Sequence, residues 1–181
     1  MSAGPVVLVG LMGSGKTTLG ARLAARLDRP FVDADEEVVE RAGRTIAELF
    51  AAEGEDAFRS LESAVLCDLL GDGPRVVATG GGVVVRSENR ARLRDPGVTV
   101  VWLDGSPGFL ASRVGPDDGR PLLGGGDARA VLERLARERG AWYAEVADLT
   151  VDVDPSGSSG PPGALVDDLV DRVRAHEAAR S

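Results

Sequence analysis

Apolar and polar positions follow two rhythms along the chain. Val6-Val-Leu-Val-Gly10, Arg75-Val-Val-Ala-Thr79 and Val98-Thr-Val-Val-Trp-Leu-Asp104 are short, nearly continuous apolar runs. Runs of this length and β-branched content predict strands buried on both faces. Arg29-Pro-Phe-Val-Asp33 and Leu149-Thr-Val-Asp-Val153 are shorter members of the set. Between them the spacing turns helical, from Lys16 to about Leu27, from Glu36 to about Leu70, in a short stretch from Ser87, over 106–114, from Asp127 to about Val146 and over 163–176. Thr45-Ile-Ala-Glu48 is a capping box that starts a new helix within the second region, and Gly54 interrupts it. The third strand, followed by Gly80-Gly-Gly82, ends in a glycine turn.

Strands separated by helices predict an α/β fold, a parallel sheet covered on both faces with right-handed crossovers. With no repeat and no linker, the 181 residues form one domain, 1–181. Gly115-Pro-Asp-Asp-Gly-Arg-Pro-Leu-Leu-Gly-Gly-Gly126 has no periodicity and predicts a mobile loop, as 154–163 predicts a second loop. Ligands of such sheets sit at the carboxyl ends of the strands. Gly10, Asp33, Thr79 and Asp104 stand at those ends, so residues distant in sequence are expected to share one crevice.

Composition narrows the chemistry. The formal net charge is −8, which argues against a nucleic-acid partner, because phosphate backbones attract basic surfaces. An anionic small molecule must then find a local cluster of arginines. A single cysteine, Cys67, excludes an internal disulfide, and its place in Ser63-Ala-Val-Leu-Cys-Asp-Leu-Leu70 predicts a small buried core residue. No apolar run approaches the roughly 20 residues needed to span a bilayer, and no basic leader opens the sequence, so a cytoplasmic protein without a membrane partner is expected.

The chain contains one lysine, Lys16, against twenty arginines. It stands in Gly10-Leu-Met-Gly-Ser-Gly-Lys-Thr17, after a strand and at the opening of a helix, the context of a phosphate-binding loop. Glycines let backbone N–H groups turn toward phosphate oxygens, and the helix N-terminus adds positive potential. A compact ammonium reaches β- and γ-phosphates where a planar guanidinium does not fit. Thr17 offers a hydroxyl to Mg²⁺. A guanine-specific Asn-Lys-x-Asp motif needs a second lysine, so a GTPase switch is excluded.

The acceptor side is more ambiguous residue by residue. Asp33 and Asp35 either divide metal binding and proton transfer between them or simply open an acidic helix. Arg59 and Glu62 are spaced to pair on a helix, yet a helical arginine is often merely solvated. The three glycines permit close approach of a ligand or make a plain turn. Arg120 lies in the glycine-rich loop, and Arg139 in the long helix.

Taken in order, Val9-Gly-Leu-Met-Gly-Ser-Gly-Lys-Thr-Thr18, Asp33-x-Asp35, Gly54-Glu-x-x-Phe-Arg-x-x-Glu62, Gly80-Gly-Gly82 and Arg120-Pro-Leu-Leu123 resemble the shikimate kinases. The resemblance runs from about Val6 to Tyr143. It implies the P-loop kinase fold, with five parallel strands, a lid at about 115–126 and an acceptor-binding helical region at about 34–62. It implies transfer of the γ-phosphoryl of ATP to the 3-hydroxyl of shikimate, with Mg²⁺, by a monomer, in the pathway to chorismate and the aromatic amino acids. Gly13, Ser14, Gly15, Lys16, Thr17 and Thr18 would bind nucleotide, and Thr17 with Asp33 would hold the metal. Asp35 would be the general base, and Arg59 and Arg139 would clamp the shikimate carboxylate. Gly80, Gly81 and Gly82 would bound the pocket, with Phe50 and Phe58 against the ring. Arg120 would reach the transferring phosphoryl, and Arg113 and Pro162 would contact adenine. The 154–163 loop departs from the family in being longer and lacking arginine, and Asp117-Asp118 stand close to Arg120.

Rival readings are a gluconate or nucleoside kinase of the same fold, and a non-catalytic nucleotide-binding module. A nucleoside needs no pair of carboxylate-binding arginines, whereas gluconate does. A non-catalytic module would be free to lose Asp35 or Arg120, and both are present.

Overall fold

A computed structural model describes residues 3–114, 127–154 and 163–180. The chain alternates strand and helix as β1 (Val6–Val9), α1 (Lys16–Leu27), β2 (Phe31–Asp33), α2 (Ala34–Ala42), α3 (Ile46–Gly71), β3 (Val76–Ala78), α4 (Ser87–Leu93), β4 (Thr99–Asp104), α5 (Pro107–Arg113), α6 (Ala128–Val146), β5 (Leu149–Asp152) and α7 (Ala164–Ala179). The five strands form one parallel sheet in the order β2-β3-β1-β4-β5. Val6 pairs with Val76 on one side and Thr99 on the other, which places β1 at the centre.

The central strand is apolar throughout because it faces helices on both sides. Side chains alternate across a strand. Val6 and Leu8 therefore pack toward Leu19 and Leu23 of α1 and Leu169 and Val173 of α7. Val7 and Val9 pack the other way, into a core with Phe58, Val65 and Leu66 of α3 and Leu132, Leu135 and Tyr143 of α6. No helix among the described residues is long and apolar enough to cross a membrane.

Local chemistry sets the boundaries. The Asp33 side chain caps α2 by accepting the Asp35 N–H at 3.0 Å, so that helix begins at Ala34, two residues before the expected start. The Thr45–Glu48 capping box forms as expected, with both reciprocal bonds present. Gly54 has φ 85° and ψ 173°, a conformation almost confined to glycine, and divides α3 into two helical pieces. Strand β3 stops at Ala78, so Thr79 and the three glycines form the turn that follows it.

Cys67 is exposed, contrary to the sequence expectation. The buried members of its run are Ser63, Val65, Leu66 and Leu69. At about 100° per residue, Cys67 points about 200° away from Val65, on the solvent side of α3.

Candidate active site

At the carboxyl ends of β1, β2 and β3 lies a cavity of about 480 Å³. This is where the strand order turns back on itself, the expected place for a ligand in an open parallel sheet. Phosphate-loop residues line one end and Arg59, Glu62 and Arg139 the other, with Asp35 and the glycine turn also in its wall. Asp33 and Thr79 join them as predicted, whereas Gly10 and Asp104 do not line the cavity.

At the phosphate-loop end, the backbone of 10–15 folds around the Lys16 ammonium. Its Nζ donates to the Gly10 carbonyl at 2.8 Å, the Leu11 carbonyl at 2.9 Å and Ser14 Oγ at 3.4 Å. Gly15 caps α1 with φ 85°, so the first-turn N–H groups, which have no carbonyl within the helix, open toward the cavity. Thr17 Oγ1 donates to Asp33 Oδ2 at 2.7 Å. Mg²⁺ favours a few hard oxygen donors plus water and substrate phosphates. One hydroxyl and one carboxylate in direct contact fit that requirement without a cluster of acids. Arg113 lies over Phe109, its Nη2 only 3.5 Å from where a Cβ on Gly15 would stand. That position is the rim of the loop.

The other end is built from side chains far apart in sequence. Arg59 is 6% exposed and Glu62 3%, and Nη1 meets Oε2 at 2.8 Å. The Arg59 guanidinium stacks over the Phe58 ring at 5.0 Å, and Phe58 packs on Phe50 at 4.8 Å. Arg139, also 6% exposed, donates to the Gly81 carbonyl at 3.0 Å. A Cβ on Gly80 would come within 2.8 Å of Asp35 Oδ1 and 3.0 Å of Glu62 Oε1, and one on Gly82 would overlap the Arg59 guanidinium. The turn therefore needs bare backbone for two carboxylates and an arginine to close around it.

Among the described residues, Arg59 Nε and Glu62 Oε1 are buried without a hydrogen-bond partner. Such groups are costly unless a ligand satisfies them. Burial pushes the Glu62 carboxyl up from its ordinary value; Arg59 opposes the shift and Asp35 reinforces it. In sequence Glu62 reads only as a partner for Arg59, although it closes the Gly54–Glu62 motif. Tyr143 carries no signal of its own in sequence, because a tyrosine at helical spacing reads as core. It is core, and its hydroxyl also donates to the Gly81 carbonyl.

The structure thus brings together Gly13, Gly15, Lys16, Thr17, Thr18, Asp33, Asp35, Phe50, Phe58, Arg59, the three glycines, Arg113 and Arg139. Ser14 lies buried behind the loop against Lys16. Arg120 and Pro162 lie outside the described residues.

The family model for shikimate kinase matches residues 12–174. The chain belongs to the shikimate kinase family. A shikimate kinase of Dechloromonas aromatica (strain RCB) is 49% identical over 155 residues, 86% of this chain and 84% of that protein. One of Chromobacterium violaceum is 45% identical over 169 residues, 93% of this chain and 91% of that protein. Among solved structures, the shikimate kinase from Acinetobacter baumannii in complex with shikimate superposes with a TM-score of 0.83 at 34% identity, covering 94% of this chain and 90% of that one. The five-stranded sheet and its helices are accordingly the P-loop kinase fold of this family.

Proposed function

We propose that this cavity binds ATP at its phosphate-loop end and shikimate at its arginine end, and that phosphoryl transfer takes place between them. Phosphorylation of shikimate is the activity of the family to which the chain belongs. The observation that carries the assignment of residues is the single cavity shared by Lys16, Asp35, Arg59 and Arg139.

Lys16 and the N–H groups at the start of α1 hold the β- and γ-phosphates. Asp35 accepts the proton of the 3-hydroxyl as its oxygen forms a bond to the γ-phosphorus. The bond from that phosphorus to the β–γ bridging oxygen breaks, and ADP leaves with the electron pair. Arg59 and Arg139 fix the acceptor by its carboxylate, and Phe50 and Phe58 cover its ring. Thr17 and Asp33 would hold Mg²⁺, which would neutralise phosphate charge. Phosphoryl transfer asks chiefly for positioning and charge neutralisation, and these side chains supply both. Charge-assisted bonds of about 1.5–3 kcal/mol each offset the repulsion of an anion by an acidic protein. Arg120 is assigned to the transferring phosphoryl, and Arg113 and Pro162 to the adenine, on the family resemblance. The enzyme is expected to act as a monomer, which sedimentation at assay concentration would check.

ADP release, measured with Mg-ATP and a panel of shikimate, gluconate and nucleosides, tests the reading. Turnover should be confined to shikimate. No turnover with shikimate, or a preference for gluconate, would overturn it.

A further inference from the structure

We infer that Tyr143 is a positioning residue for the acceptor: its hydroxyl holds the Gly81 carbonyl so that Arg139 can be given over to a substrate carboxylate. The inference rests on the reading of Arg139 as a carboxylate clamp.

Arg139 and Tyr143 lie one turn apart on α6 and both donate to the Gly81 carbonyl. A carbonyl oxygen has two lone pairs, so these donors saturate it. A carboxylate entering the cavity competes for the guanidinium, and a charge-assisted bond is stronger than one to a neutral carbonyl. As Arg139 turns to the substrate, Gly81 keeps one donor only if the tyrosine hydroxyl is present. Without it, drawing Arg139 away would leave a half-buried carbonyl without a protein donor, and the loss would oppose binding of the acceptor.

The tyrosine is suited to stay in place. It is buried, its ring is stacked on Trp102 at 5.7 Å, and its hydroxyl is pushed up to about 12 by burial, so it remains a donor across the working pH range. The far end of the same turn is tied to the neighbouring residue of α6. Arg90 donates to the Val84 and Val85 carbonyls at 2.7 and 3.1 Å and stacks over Trp142 at 5.0 Å. The glycine turn is therefore anchored to α6 at two points, with Arg59 against Gly82 between them and Asp35 and Glu62 against Gly80 just before.

Tyr143→Phe keeps the ring and removes the donor. The KM for shikimate should rise about tenfold, the scale of one hydrogen bond, while kcat and the KM for ATP stay within about twofold. Tyr143→para-aminophenylalanine, which restores a donor at the same position, should return the shikimate KM toward that of the unaltered protein. In an Arg139→Ala background, Tyr143→Phe should add nothing further, because no donor is left to hand over. An unchanged shikimate KM, an equal rise in both KM values, or full additivity with Arg139→Ala overturns the proposal. Should the Phe protein not fold, the amino variant decides, since a tenfold rise there contradicts a donor role. Arg139→Ala with an unchanged shikimate KM overturns the clamp reading and this one with it. A raised KM there with none in Tyr143→Phe overturns this one alone.

Discussion

The two ends of the cavity are built in opposite ways. At the phosphate end, one continuous stretch, 10–18, supplies most of the groups, with Asp33 and Arg113 added from elsewhere. At the acceptor end, side chains come from α2, both pieces of α3, the turn after β3 and α6, and the backbone mainly keeps out of their way. Triphosphates are alike from one kinase to the next, so a loop of N–H groups serves all of them. An acceptor has its own shape and charge, and only side chains collected from several elements can match it. Substitutions at the two ends should therefore fail differently.

The largest effect is expected at Asp35, where the two ends meet. Asp35→Asn removes the proton acceptor, and kcat should fall by about 10³-fold, within the range for loss of a general base. Retention of most of the turnover would mean that the hydroxyl needs no base here. Next is Lys16→Arg, which keeps the charge but not the compact ammonium. Turnover should drop about 100-fold with the shikimate KM nearly unchanged, since the guanidinium does not fit among the loop carbonyls. Equal disturbance of both substrates would show that the ends are not independent.

Arg59→Ala reverses that pattern. The shikimate KM should rise about 10- to 100-fold for loss of a charge-assisted contact, with the KM for ATP steady. An effect on ATP alone would place Arg59 in the wrong half. Gly82→Ala probes the same contact from below. Its Cβ would overlap the Arg59 guanidinium and push it off the floor of the cavity. A rise of about tenfold in the shikimate KM follows if Arg59 loses one hydrogen bond in moving. Unaltered shikimate binding would show that Arg59 can shift freely.

The same division explains what the sequence could reveal. Lys16, Thr17 and the loop glycines were legible because their geometry is local: strand, glycines and helix start lie within a dozen residues. The parallel sheet was legible because Val6–Val9 is apolar at every position, which a half-exposed strand would not be. At the acceptor end, Asp35 and Arg59 each had an ordinary alternative until their order along the chain matched a family. What brings them together is the crossover of β2 and β3 beside β1, a long-range fact that no local pattern encodes. Tyr143 and Cys67 escaped for complementary reasons. The apolar pattern hid a hydroxyl inside the core in one case, and it hid a solvent-facing direction within a helix turn in the other.

The smallest effect concerns the stability consequence of burying an acceptor site. Burial pushes the Glu62 carboxyl up, so the folded protein holds that proton more tightly than the unfolded chain does. For a raised acid, the stabilising contribution is complete below the ordinary glutamate range and is lost as pH rises through the folded pKa. Other carboxylates can make overall stability rise with pH, but Glu62 subtracts from that rise. Glu62→Gln removes the subtraction, so between about pH 4 and pH 7 its melting temperature should climb more steeply than that of the unaltered protein. Lys16→Arg, which disturbs the phosphate end and leaves Glu62 in place, should keep the original slope. A Glu62→Gln slope equal to or shallower than the original would show that Arg59 compensates the burial fully. The acceptor end would then be no more strained than the phosphate loop, whose buried charge is already met by carbonyls at 2.8 and 2.9 Å.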